Sequence, residues 1–307
     1  MRRIAWMLVV LGATYACGER AGFENREVPA FVDPDAGAGV APSGSTSCEN
    51  TVRCSRDFRS VVDGCDDSKI IAECAPELGC ASSGKCVTAC EAATDSTMGC
   101  EFVALPPPRE PQMVGSCFGA VLANTWGIPA RIEAAYGVDP IDVKVHARIV
   151  RTDGDATTFE PFDGELKPGE MAAIFLSEKP SGTQSVRCPE GAVPAIQRDT
   201  AAQGTVRSPT FQIKTTAPVS AYSFYPFGKS VGSTATLLLP LASWKNDYVV
   251  TNVWSTRRTS SASFFPTTHI LAAQDNTEIT LIPSAHLYGG PNVDGAEKGK
   301  PAKYHLS

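Results

Sequence analysis

SPTFQIKTTAPVSAYSFYPFGKSVGSTATLLLPLASWKNDYVVTNVW, residues 208–254, reads as strand, tight turn, strand, Gly/Ser loop, apolar run, polar turn and strand. Phe211, Ile213 and Thr215 alternate with Gln212 and Lys214, the period of a half-buried strand. Ala217-Pro218 should interrupt it, because proline fixes φ and has no N–H for a ladder. A β-branched and aromatic run then resumes over 219–225.

The same grammar extends to both sides. In IDVKVHARIVR (141–151), Ile141, Val143, Val145, Ala147 and Ile149 alternate with polar residues, which predicts one strand with a dry and a wet face. Residues 132–137 read as another strand. Lys167-Pro168-Gly169-Glu170 carries Pro and Gly where a type II turn needs them. It should join 164–166 to 171–176 as a hairpin. Gln274 to Asn276 marks a second reversal, between 269–273 and 278–282. Short strands with Gly, Pro and Asn punctuation predict an all-β, antiparallel β-sandwich-like module.

Residues 119–136 and 268–284 share one plan: an apolar strand, a polar break at Asn124 or Asn276, then an alternating strand. The second copy lacks the later hairpin. The module is therefore expected to hold an incomplete second repeat over a domain spanning 101–307. Residues 287–307 are expected to be poorly ordered, as in a truncated chain.

The 307 residues carry 33 acidic and 27 basic side chains, a net charge of -6. That balance argues against nucleic acid as a partner. Arg2 and Arg3, an apolar core over 4–13 and Thr14-Tyr15-Ala16-Cys17 form an export signal over 1–16. Its apolar part is far shorter than the ~20 residues that span a bilayer. Its small residue before cysteine resembles a bacterial lipobox, although Thr14 stands where leucine is more usual. The resemblance implies lipidation at Cys17, a membrane partner through that anchor, and, with Gly18 rather than Asp next, delivery to the outer membrane. The alternative is plain secretion after Ala16. Residues 17–47 are poor in aromatics and rich in Pro, Gly, Ala and Asp, so they predict a disordered tether.

A third composition block, 48–100, holds Cys48, Cys54, Cys65, Cys74, Cys80, Cys86, Cys90 and Cys100. So short a block cannot close a sufficient apolar core, and disulfides replace it. A zinc site is disfavoured: no Cys-x2-Cys pair occurs and no histidine lies in the block. Eight cysteines allow 105 pairings, and sequence does not choose among them. Cys117 and Cys188 lie outside the block. They pair either with each other, stabilising by about 4 to 5 kcal/mol in the chain-entropy view, or back to the block.

The block running through Cys86 and Cys90 into Gly99-Cys100-Glu101-Phe102 resembles surface lipoproteins of the IgGFc-binding-protein N-terminal family, abundant in myxobacteria. Ala120-Val121-Leu122-Ala123-Asn124 with Pro129-Ala130-Arg131-Ile132 is similar to its first hairpin, and Leu166-Lys167-Pro168-Gly169-Glu170 to its Pro-Gly turn. Phe211-Gln212-Ile213, Ala217-Pro218-Val219, Ala221-Tyr222 and 236–240 resemble its central signature. Ile270-Leu271-Ala272-Ala273-Gln274-Asp275-Asn276-Thr277 resembles the opening of its second repeat. Trp126, the loop at Trp244-Lys245-Asn246 and the insert at 182–207 depart from the pattern. The resemblance implies a cell-surface lipoprotein. It does not transfer an immunoglobulin ligand.

No nucleophile elbow, His-Glu-x-x-His, phosphate loop or nucleotide fingerprint occurs. No catalytic residue, metal ligand or cofactor is assigned, and the chain is not expected to be an enzyme. His146, His269, His286 and His305 are scattered. Glu165 and Glu170 flank the Pro-Gly turn as an imaginable carboxylate pair, but solvated turn ends explain them better. Trp126, Tyr222, Phe224, Tyr225, Trp244 and Trp254 supply both core and candidate surface aromatics. The reading is a surface binding or adhesion module whose ligand is an extracellular protein or glycan. The alternatives are a surface-polysaccharide hydrolase, to be recognised by carboxylates converging in a concave pocket, and a structural envelope spacer.

Overall fold

The computed structural model describes residues 51–94, 96–107, 113–154, 156–180, 186–202, 204–227, 233–251, 257–258, 263–264 and 266–306. The signal over 1–16, the tether over 17–47, Cys17, Cys48 and Trp254 lie outside them.

The cysteine-rich segment begins with a three-stranded antiparallel sheet of β1 (Val52–Cys54), β2 (Ser60–Asp63) and β3 (Ile70–Glu73). A hairpin follows, β4 (Leu78–Cys80) with β5 (Cys86–Thr88), then a single helical turn, α1 (Ala89–Ala92). Disulfides join Cys54 to Cys80, Cys74 to Cys86 and Cys90 to Cys100, and Cys65 is also disulfide-bonded. Only Val61, Val62, Cys80 and three alanines are buried apolar residues here, so the bridges do what a core cannot.

The main body is one antiparallel sheet of ten strands. They are β6 (Met98–Ala104), β7 (Phe118–Ala123), β8 (Ala130–Tyr136), β9 (Asp139–Ile141) and, after the turn α2 (Val143–His146), β10 (Ala147–Asp153), β11 (Ala156–Pro161), β12 (Glu165–Leu166), β13 (Met171–Ser177), β14 (Phe211–Tyr225) and β15 (Thr234–Leu238). The order is β11-β10-β13-β7-β14-β8-β12, with β6 and β15 on β14 and β9 on β8. A 3-10 turn (Leu241–Ser243), the pair β16 (Arg257–Arg258) and β17 (Ser263–Phe264), and the hairpin β18 (Thr277–Leu281) with β19 (Ala302–Leu306) complete the chain.

β14 is the axis of the sheet. Its first half pairs with β8 (Phe211↔Tyr136 to Thr215↔Ile132) and its second half with β7 (Ser220↔Ala123 to Phe224↔Gly119). A strand has two edges, so β8 and β7 share one while β6 and then β15 take the other. The sheet curls about this strand and encloses Phe102, Phe118, Leu122, Ile132, Tyr136, Leu166, Ile174, Phe211 and Ile213. Phe211 is the ring that ties the arms together: it lies 4.5 Å from Tyr136 on one and 5.8 Å from Phe118 on the other. A smaller cluster, Cys117, Ala173 and Phe175 with Phe159 and Phe227, covers the opposite face of β13.

Six sequence expectations are corrected. Pro218 does not break the strand: it falls in the register shift between Lys214 and Val219 opposite β6, after the last β8 pair and before the first β7 pair, where its missing N–H costs no ladder bond. Residues 141–151 are not one strand. Asp142 accepts a hydrogen bond from the Lys144 N–H and caps α2, so Val143 is buried while Val145 turns outward. The Pro-Gly turn forms, with Gly169 at φ 79° and a Glu170 N–H to Lys167 C=O bond, but it is not a hairpin. It carries the chain from β12, paired to β8, across to β13, paired to β7 and β10. Likewise β7 and β8 do not pair with each other; each pairs with β14. Finally, the tail is ordered. All five residues of β19 pair with β18, and Asn276, at φ 59°, turns the chain into β18 without a strand over 269–273.

Candidate ligand-binding surface

The carboxylates and histidines singled out in the sequence do not converge. Glu165 pairs with Arg131 at 3.1 Å, whereas Glu170 is held by Arg151 at 2.8 Å. Burial pushes the Glu170 carboxyl upward, but hydrogen bonds from Arg151 and the Lys167 N–H outweigh it and hold the group below its ordinary value. Arg151, shared with Glu160, is raised in turn. The two carboxylates thus serve separate ion pairs. His146 Nδ1 lies 2.8 Å from the Val193 carbonyl, His286 stacks edge-on against Tyr288, and His305 lies 3.7 Å from Glu278. Among the described residues no group of three His, Cys, Asp or Glu is placed to hold a metal.

The aromatic candidates divide. Trp126 and Tyr225 are buried, Phe224 packs on Phe227, and Tyr222 is exposed. The Trp126 indole donates to the Pro76 carbonyl at 3.1 Å and seats the cysteine-rich segment on the sheet. A Cβ at Gly79 would come within 2.6 Å of Ala92 and 2.9 Å of the Trp126 ring, which is why glycine stands there.

Trp244 belongs to a different arrangement. After β15, Pro240 packs on Gly99 of β6, and a Cβ at Gly99 would collide with that ring. The 3-10 turn is closed by Ser243 N–H to Pro240 C=O, and the Ser243 hydroxyl donates to Ser96 C=O at 2.6 Å. The half-buried Trp244 indole donates to Leu239 C=O, and the Lys245 N–H donates to the Tyr248 hydroxyl at 2.7 Å. The turn is thereby held while apolar side chains on it are wet: Leu239 is 48% exposed, Tyr248 67%, Val249 94% and Val250 58%. Contiguous apolar exposure of this kind marks interaction surfaces.

A second, polar feature lies across the sheet where the β14 register shifts. A groove of about 560 Å³ is lined there by Glu91, Glu101, Arg131, Glu133, Lys214 and Thr216, among others. Lys214 is directly opposite Glu101 on β6 and Glu133 on β8, so the three side chains share one face as a cross-strand row. Sequence reading missed this row because its members are 32 to 113 positions apart and each looks like the wet half of an ordinary strand.

What the architecture defines is an all-β, disulfide-stapled module. Residues 234–307 match the family model described as IgGFc binding protein, a stretch that begins with β15 and holds both the apolar loop and the β18–β19 hairpin. The match supports a binding role; the motifs between Cys86 and Ser233 lie outside it. No curated protein and no solved structure matches the chain.

Proposed function

We propose that the chain is an exported, non-catalytic binding module, lipid-anchored through Cys17 at a bacterial outer membrane, that engages an extracellular protein through the loop at 239–250. The observation that carries this reading is the exposed Tyr248-Val249-Val250 tip on a hydrogen-bonded base, inside the stretch that matches the family model. Tyrosine on a preorganised loop offers contact area at little ordering cost. Export is supported by the charged-then-apolar N-terminus and by the disulfides, which persist in oxidising compartments.

The test immobilises the full chain and compares it with Tyr248→Ala for retention of purified envelope and secreted proteins, immunoglobulin included. The reading expects a retained protein, about tenfold weaker binding to the variant and an unchanged thermal midpoint. Equal retention by both chains refutes the loop as the site, and turnover of a surface polysaccharide refutes the non-catalytic role. Mass spectrometry of the mature N-terminus decides the anchor: a diacylglycerol adduct on Cys17 is expected, and an unmodified thiol removes it.

A further inference from the structure

We infer that the groove across β6, β14 and β8 is a second binding site, for a sugar segment that is uncharged or bears an ammonium group. Its size lies within the range of small-ligand clefts. Its walls offer acceptors and donors in alternation: the carboxylates of Glu101 and Glu133 on either side of the Lys214 ammonium, then the Arg131 guanidinium. The Thr216 hydroxyl accepts the Arg131 N–H at 2.9 Å, which leaves its own proton free to donate outward. Vicinal hydroxyls, each both donor and acceptor, match such a surface. Lys214 is paired with Glu101 at 3.3 Å and Arg131 with Glu165, whereas Glu133 has no ion-pair partner among the described residues. The lining carries three carboxylates, Glu91, Glu101 and Glu133, against two cations, so it offers no net positive charge to attract a polyanionic glycan.

Carboxylates converging in a groove also describe a glycosidase, and the geometry argues against cleavage here. A catalytic acid needs burial to stay protonated at neutral pH. Glu91, Glu101 and Glu133 are all exposed, and Glu101 is neutralised by Lys214. The groove holds sugar without breaking it.

The experiment applies the full chain to a printed array of neutral, amino-sugar and uronic-acid oligosaccharides. Calorimetry then follows with a retained one, comparing Glu133→Gln, Thr216→Val and Tyr248→Ala. Retention of neutral or amino sugars is expected, with affinity about tenfold lower in the first two variants and unchanged in the third. Retention of nothing, of uronic acids alone, or of sugars that all three variants bind equally overturns the inference, as does release of shortened oligosaccharide. Loss of protein binding in Tyr248→Ala with sugar binding intact separates this site from the loop.

Discussion

Asn124 is the residue on which both arms of the sheet converge. It is buried, and its side-chain amide donates to the Leu166 and Ile128 carbonyls at 2.8 and 2.9 Å while its oxygen accepts the Trp126 N–H. Its backbone also holds the corner turn, through Gly169 N–H to Asn124 C=O and Asn124 N–H to Glu170 C=O. Removing the amide leaves two buried polar groups and a part-buried one without this partner, so Asn124→Ala should lose about 3 kcal/mol in urea unfolding. Asn124→Asp keeps the acceptor but turns charge toward two carbonyls; it should be as unstable at pH 7 and partly recover near pH 4. Glu170 supplies a second test. Its folded value is depressed, so its contribution is present above the ordinary carboxylate range and lost as pH falls through the folded value. The urea midpoint of the native chain should exceed that of Glu170→Gln at pH 7, and the gap should close below about pH 4.

At the scale of elements, the strap over 186–197 is tied to the sheet along its length. Ile196 pairs with Ser177, the Cys117 N–H donates to Val186 C=O, and Cys117 bonds Cys188 across 71 residues. Beneath it Glu178 is buried; one oxygen accepts the Cys188 N–H, and the other faces Arg187 at 2.6 Å without an aligned hydrogen. Replacing Cys117 and Cys188 together by serine should lower stability by about 4 kcal/mol, read from chemical denaturation. Strands were legible in the sequence because alternation is local: Phe211 to Thr215 and Ile132 to Tyr136 declare their faces. Pairing was not, because partners are chosen by the enclosed core. Pro168-Gly169 specifies a reversal equally well inside a hairpin or at a corner, and only the distant Asn124 amide makes it a corner. Val145 fits a strand until Asp142 caps the turn before it. For the candidate surfaces, Trp244 was visible as an atypical loop, while Glu101, Lys214 and Glu133 acquire meaning only when three strands bring them side by side.

Across the whole molecule, Trp126 connects what the composition divides. Its indole reaches Pro76 while its backbone hangs from Asn124, so it ties the bridged segment to the sheet alongside the Cys90–Cys100 disulfide. Trp126→Ala should cost about 3–5 kcal/mol. Hydrogen exchange should rise first over 76–93 and around 124–130, since those backbones lose a common support. β14, ~50 Å long, has a further consequence for biosynthesis. Lys214 and Glu101 are 113 positions apart, and the strands from β6 to β8 await one that begins only at residue 211. On the proposed export route, the thiols up to Cys100 are delivered well before the strand that templates the sheet. Until that keystone arrives, thiols are free to pair wrongly and strand edges to stick, the exposure that long-range β pairing carries.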